Sequence, residues 1–140
     1  MLDALYQEEI IQLSRQSRQR GRLEAPDASA RVDNPLCGDR VTMDLEIRDG
    51  RITAVGHRVR GCALCEAAAE VIAENATGLT VEELGEIETA TRAYLTSGGA
   101  QAPWTKLSIF EPVRDVKSRH ECVYLPFTAS INAFSEYIEK

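Results

Sequence analysis

The stretch Val41-Thr42-Met43-Asp44-Leu45-Glu46-Ile47-Arg48-Asp49-Gly50-Arg51-Ile52-Thr53-Ala54-Val55 decides the fold. Val41, Met43, Leu45 and Ile47 alternate with polar residues, the two-residue period of a strand with one buried face. Asp49-Gly50 is a hairpin turn, because both central positions of a type I′ turn take positive φ. The chain returns through Arg51 to Val55, and Gly56 is expected to bend it into a third strand near His57 to Arg60. A small antiparallel meander of about three strands is predicted.

Outward from this hairpin the periodicity is helical. Leu2, Leu5, Tyr6, Ile10 and Leu13 form one apolar stripe and predict a first helix over 2–19. Arg15 to Arg22 is basic: a solvated helix end, or a surface that meets an acidic partner. Residues 24–29 read as an exposed connector. Beyond the strands, Cys62 to Asn75 predicts a helix stopped at Thr77-Gly78, and Thr80-Val81-Glu82-Glu83 is a capping box for a helix to about Leu95. Ser97-Gly98-Gly99 breaks it. A short helix is expected over 103–111, before Pro112, and a last one from Ser118 through Ile138, disturbed at Pro126. The fold class is therefore α+β: a small antiparallel sheet packed against helices in one domain, 1–140.

Composition narrows the function. With 140 residues, 44% hydrophobic and 27% charged, the chain can bury a core. Sixteen Lys and Arg against 22 Asp and Glu give a net charge of −6, which argues against general nucleic-acid binding. No apolar run is long enough for a transmembrane helix. The acidic, amphipathic beginning is unlike a signal peptide, so a cytoplasmic protein is expected, in which cysteines serve metal or redox chemistry rather than disulfides.

Three cysteines and an aspartate sit where segments start or turn: Cys37 and Asp39 in Asn34-Pro35-Leu36-Cys37-Gly38-Asp39, Cys62 after Gly61, and Cys122 in Arg119-His120-Glu121-Cys122. Three thiolates and a carboxylate make one four-coordinate site for zinc or an iron–sulfur centre. Asp39 is the harder ligand and the natural one to exchange. Cys62 and Cys65 also form a CxxC pair at a strand-to-helix junction, which leaves open a thiol–disulfide oxidoreductase. The simpler reading of Cys65 is a small residue packed under the site. His57 is placed on an exposed strand connection with no role, and His120 beside the site or facing solvent. Trp104 is expected to pack the short helix over 103–111, and Glu82, Glu83, Glu86 and Glu88 to form a solvated face.

The ordered set of Asn34 to Asp39, the Asp49-Gly50 hairpin, Gly61-Cys62 and Arg119 to Leu125 resembles the IscU/SufU/NifU N-terminal scaffold family over about residues 2–138. Cys62 and Cys122 lie 60 positions apart, and this spacing, with Glu121 before the third cysteine and Arg119 three before it, resembles the SufU branch. The resemblance implies an IscU-like fold and a role in iron–sulfur cluster assembly. It implies Cys37, Asp39, Cys62 and Cys122 as ligands of zinc, or of iron in a [2Fe–2S] cluster. It also implies a cysteine desulfurase partner (SufS/IscS-like) and apo-protein recipients downstream; Cys37, on a loop that Pro35 shapes and Gly38 frees, is the chosen sulfur acceptor. Arg119 is then placed to pair with Asp39 or steady a persulfide. Acting with a desulfurase, the protein would count as a sulfurtransferase; otherwise it is a non-enzymatic scaffold. The rival readings are the Cys62/Cys65 oxidoreductase and a structural zinc interaction domain.

Overall fold

The structure, a computed structural model, describes residues 4–35, 38–97 and 101–139, the first four of them in backbone only. Its centre is an antiparallel sheet in the order β1 (Ala28–Asn34), β2 (Asp39–Arg48), β3 (Arg51–Arg60). Val41, Met43, Leu45 and Ile47 of β2 are buried, as their alternation predicts. Asp49 and Gly50 close the hairpin with φ of 53° and 76°, the two positive values a type I′ turn demands.

The third strand is not where the sequence placed it. β3 runs unbroken from Arg51 to Arg60, so Gly56 makes no bend, and the strand that completes the sheet is β1. A Cβ on Gly56 would sit 2.7 Å from the Leu23 nitrogen, so this glycine serves a backbone crossing rather than a turn. The expected connector over 24–29 therefore already contains the start of β1.

Among the described residues, four α-helices complete the fold: α1 (Ala4–Arg20), α2 (Ala63–Asn75), α3 (Val81–Thr96) and α4 (His120–Glu139). Helix α3 opens on the full Thr80–Glu83 capping box. The expected short helix is a 3-10 segment, Thr105–Val113, that runs through Pro112 instead of ending before it, and a second 3-10 turn, Lys117–Arg119, stands at the expected start of the last helix and leads into α4. Trp104 stacks on Phe127 with ring centroids 5.8 Å apart, the packing role expected of it. Met43, Leu45, Ile52, Phe110, Phe127 and Phe134 fill the core between the sheet's inner face and the helices. Each such side chain contributes about 1.5–3 kcal/mol by leaving water.

The basic end of α1 is structural. Arg18 binds Glu66, Arg20 binds Glu70 through two hydrogen bonds of 2.8 Å, and Arg22 binds Asp44 through two of 2.9 Å. Glu66, Glu70 and Asp44 are buried, so these arginines neutralise carboxylates that the core encloses. His57, expected on the surface, is also buried: its Nε2 lies 3.2 Å from Glu70 Oε1. The physical reason is register, since His57 pairs with Met43 and so faces inward.

Candidate metal centre

Asp39 is the first residue of β2, Cys62 is the N-cap of α2, and Cys122 lies in the first turn of α4. These three starts meet at one end of the sheet. One ligand atom from each side chain lies within 4.8 Å of the other two. A tetrahedral ion with metal–sulfur bonds of about 2.3 Å sets its sulfurs about 3.8 Å apart, so small side-chain movements suffice to close the three on a cation. Asp39 and Cys122 are buried and Cys62 is half-buried, which leaves an approach from one side.

The backbone holds the carboxylate in place. Asp39 Oδ1 accepts the Cys62 N–H at 3.3 Å, and Oδ2 accepts from the Cys122 thiol at 3.5 Å. Gly61 allows this approach: a Cβ there would lie 2.8 Å from Asp39 Cγ.

The two thiols differ in how readily they ionise. A hydrogen bond from the Cys122 thiol lowers the Cys62 pKa to about 6, against burial that raises it; backbone N–H groups of Cys65 and Leu64 also lower it, and the Asp39 charge raises it. Cys122 is pushed up, first by that hydrogen bond to Cys62, then by burial and by the charges of Cys62 and Asp39. Cys62 is thus the readier thiolate of the two.

Around the centre is an open cleft of about 400 Å³ lined by Gly38, Asp39, Arg60, Gly61, Cys62, Arg119 and Cys122. The structure thus brings Asp39, Cys62, Cys122 and Arg119 together. Cys37, the fourth ligand and sulfur acceptor expected from the sequence, lies outside the described residues. Cys65 is fully buried in the first turn of α2 and outside the converging group. Cys62, Cys65 and Cys122 carry no disulfide.

His120 is buried and not at the solvent. Its Nε2–H is shared between the carbonyls of Val113 and Arg114, at 2.9 and 3.0 Å, and so fastens the start of α4 to the preceding 3-10 helix. Sequence reasoning missed this and missed Arg60, which lines the cleft from the end of β3. For Arg60 the signal was present: it lies two residues before a candidate ligand, on the last turnless stretch of a strand.

Known proteins resemble this chain in sequence and in overall fold. The family described as NifU-like N terminal domain matches residues 5–137. The chain is 32% identical over 79 residues to the iron-sulfur cluster assembly scaffold proteins IscU 1 and IscU 2 of Archaeoglobus fulgidus; each match covers 56% of this chain and about half, 52%, of the relative. The crystal structure of a nitrogen-fixing NifU-like protein (N-terminal) from Brucella abortus superposes with a TM-score of 0.82 at 35% identity, covering 96% of this chain and 95% of that one. A putative iron-sulfur cluster assembly scaffold protein for the SUF system from Fervidobacterium islandicum shares the fold, with a TM-score of 0.80 at 24% identity over 91% of this chain and 94% of that one. Family profile, sequence and fold agree, and the chain belongs to the NifU-like N-terminal domain family.

Proposed function

We propose that this protein is an iron–sulfur cluster assembly scaffold that takes up sulfur from a cysteine desulfurase in the cytoplasm. The observation that carries the reading is the convergence of Asp39, Cys62 and Cys122, from three separate elements, to within 4.8 Å. With Cys37, two residues before Asp39, they supply three thiolates and a carboxylate, a donor set suited to iron in a [2Fe–2S] cluster as cargo.

In the first step, the Cys37 thiolate attacks the outer sulfur of the partner's cysteine persulfide. A new S–S bond forms on Cys37, the partner's S–S bond breaks, and the partner leaves as a thiolate. Reduction of that sulfur to sulfide takes two electrons, from ferrous iron and an external electron donor. Arg119, at the cleft, offers a planar cation to the persulfide anion. Zinc fits the same donors and, when bound, would keep the cysteines as thiolates. A zinc-bearing sulfur acceptor of the SufU kind is therefore the second reading, supported by the 60-position spacing of Cys62 and Cys122 and by Arg119 and Glu121 ahead of the third cysteine. The Cys62/Cys65 oxidoreductase has less support, because Cys65 is fully buried and the strand before α2 is antiparallel to its neighbour.

The test is anaerobic purification followed by assay of zinc, iron and acid-labile sulfide per chain, then persulfide uptake from a cysteine desulfurase. Iron and sulfide in equal amounts support the scaffold; zinc without sulfide supports the acceptor. Undiminished persulfide uptake by Cys37→Ser would overturn Cys37 as the acceptor.

A further inference from the structure

The sheet has a second face, turned away from the helices. On it, register places Arg31, Thr42 and Arg58 in one row across the three strands and Asp33, Arg40 and Arg60 in the next. Alternation sends these side chains outward, since their neighbours Val32, Val41 and Val59 face the helices. Arg31, Arg40, Arg58 and Arg60 are exposed. Arg22 reaches the same face and is held by Asp44, and Arg40 binds Asp33 at 2.9 Å. Among the described residues, Arg31, Arg58 and Arg60 have no carboxylate partner. A chain with net charge −6 thus concentrates unmatched positive charge on one open sheet face.

We infer that this face is a docking surface for an acidic, extended segment of a partner protein. Charge complementarity names the occupant. Arg58 and Arg60, two residues apart on one strand, are separated by about 6.8 Å, and carboxylates on alternate residues of an extended peptide repeat at the same interval. Guanidinium groups pair with carboxylates through two parallel hydrogen bonds, which gives such a match geometric specificity. A nucleic acid is a poorer fit: its affinity grows with the number of phosphates neutralised, this face has few free arginines, and a net charge of −6 repels it.

The face is also continuous with the metal centre. A second cleft, lined by Asn34, Pro35, Arg40 and the Asp33 that Arg40 neutralises, shares Gly38, Asp39 and Arg60 with the cleft around the candidate ligands. A segment lying along the arginines therefore holds its protein at the mouth of the site. The inference does not depend on what the site carries.

The experiment uses the full chain and a fluorescein-labelled peptide of alternating Glu and Thr, with alternating Gln and Thr and an oligothymidine of equal length as comparators. In about 20 mM salt the Glu peptide binds, the Gln peptide does not, and raising salt to about 200 mM weakens binding about tenfold. Arg31→Glu with Arg58→Glu lowers affinity at least about tenfold, while Arg48→Glu, at the far end of β2, stays within about twofold. If the double reversal misfolds by circular dichroism, Arg31→Gln with Arg58→Gln replaces it and is expected to lose about threefold or more. Unchanged binding by the folded double variant, or tighter binding of oligothymidine than of the Glu peptide, would overturn the inference. The probe contains neither sulfur nor metal, so failure here leaves the cluster-assembly reading untouched, and the reverse.

Discussion

Gly61 and Asp39 are in such close apposition that no other residue type fits at 61 without moving the carboxylate: a Cβ would stand 2.8 Å from Asp39 Cγ. The glycine precedes one candidate ligand and makes room for another. Gly61→Ala is expected to displace Asp39 and break its hydrogen bond from the Cys62 N–H. Metal affinity should fall about tenfold to a hundredfold, as it does when the groups that orient ligands are removed. Chelator competition measures this, and a melting temperature near that of the parent separates it from unfolding.

Cys122→Ala removes the thiol that stabilises the Cys62 thiolate. In metal-free protein carrying Cys37→Ser, Cys62 should ionise near pH 6 before the change and toward the ordinary thiol range after it. The rate of iodoacetamide alkylation against pH reports the midpoint. An unmoved midpoint would remove the Cys122 hydrogen bond as the cause.

Arg22→Ala leaves Asp44 buried without its cation. Because Arg22 is half exposed and water can reach the gap, the expected loss is about 1–3 kcal/mol by urea denaturation.

Acid should loosen the same region in the parent protein. Burial raises the Asp44 pKa, but hydrogen bonds from Arg22, Ser29 and the Leu23 N–H, with the charge of Arg22, outweigh it and hold the group below its usual value. Burial likewise raises Glu70, and Arg20 and His57 overcome it. A carboxylate with a depressed folded pKa contributes stability that is present above its unfolded pKa and lost as pH falls through the folded one. Stability should therefore hold down to about pH 4 and fall below it. Urea midpoints at a series of pH values check the window, and Arg22→Ala should flatten the slope.

His120→Ala deprives two carbonyls, those of Val113 and Arg114, of the imidazole N–H they share. A cost of about 1–3 kcal/mol is expected for the stranded acceptors. Cys122, two residues along, should bind metal more weakly as the start of α4 loosens. Calorimetric titration of the folded variant measures that part.

The hairpin β2–β3 was legible because its alternation and its Asp49-Gly50 turn are local signals, and the Thr80 cap was legible for the same reason. Strand β1 was not. Ala28-Ser29-Ala30-Arg31-Val32-Asp33-Asn34 has one strong strand former, Val32, and becomes a strand through pairing with β2 rather than by its own preference. His57 was readable in principle, since it continues the inward phase of Val55 and Val59. The pairs Arg18–Glu66 and Arg20–Glu70 were not, because their partners are about 50 residues apart and nothing local couples them. At the site, the residue types marked Asp39, Cys62 and Cys122 as candidates, and the fold supplied what spacing lacks: that their helices and strand begin at the same place.

That arrangement governs when in the protein's life the centre can exist. Its candidate ligands among the described residues come from positions 39, 62 and 122, joined by no short motif. A growing chain emerging from the ribosome presents scattered thiols until α4 has docked on the sheet. Capture of a metal by these residues would then be a late event that closes over a finished fold, because a partly made chain has no vessel to fill.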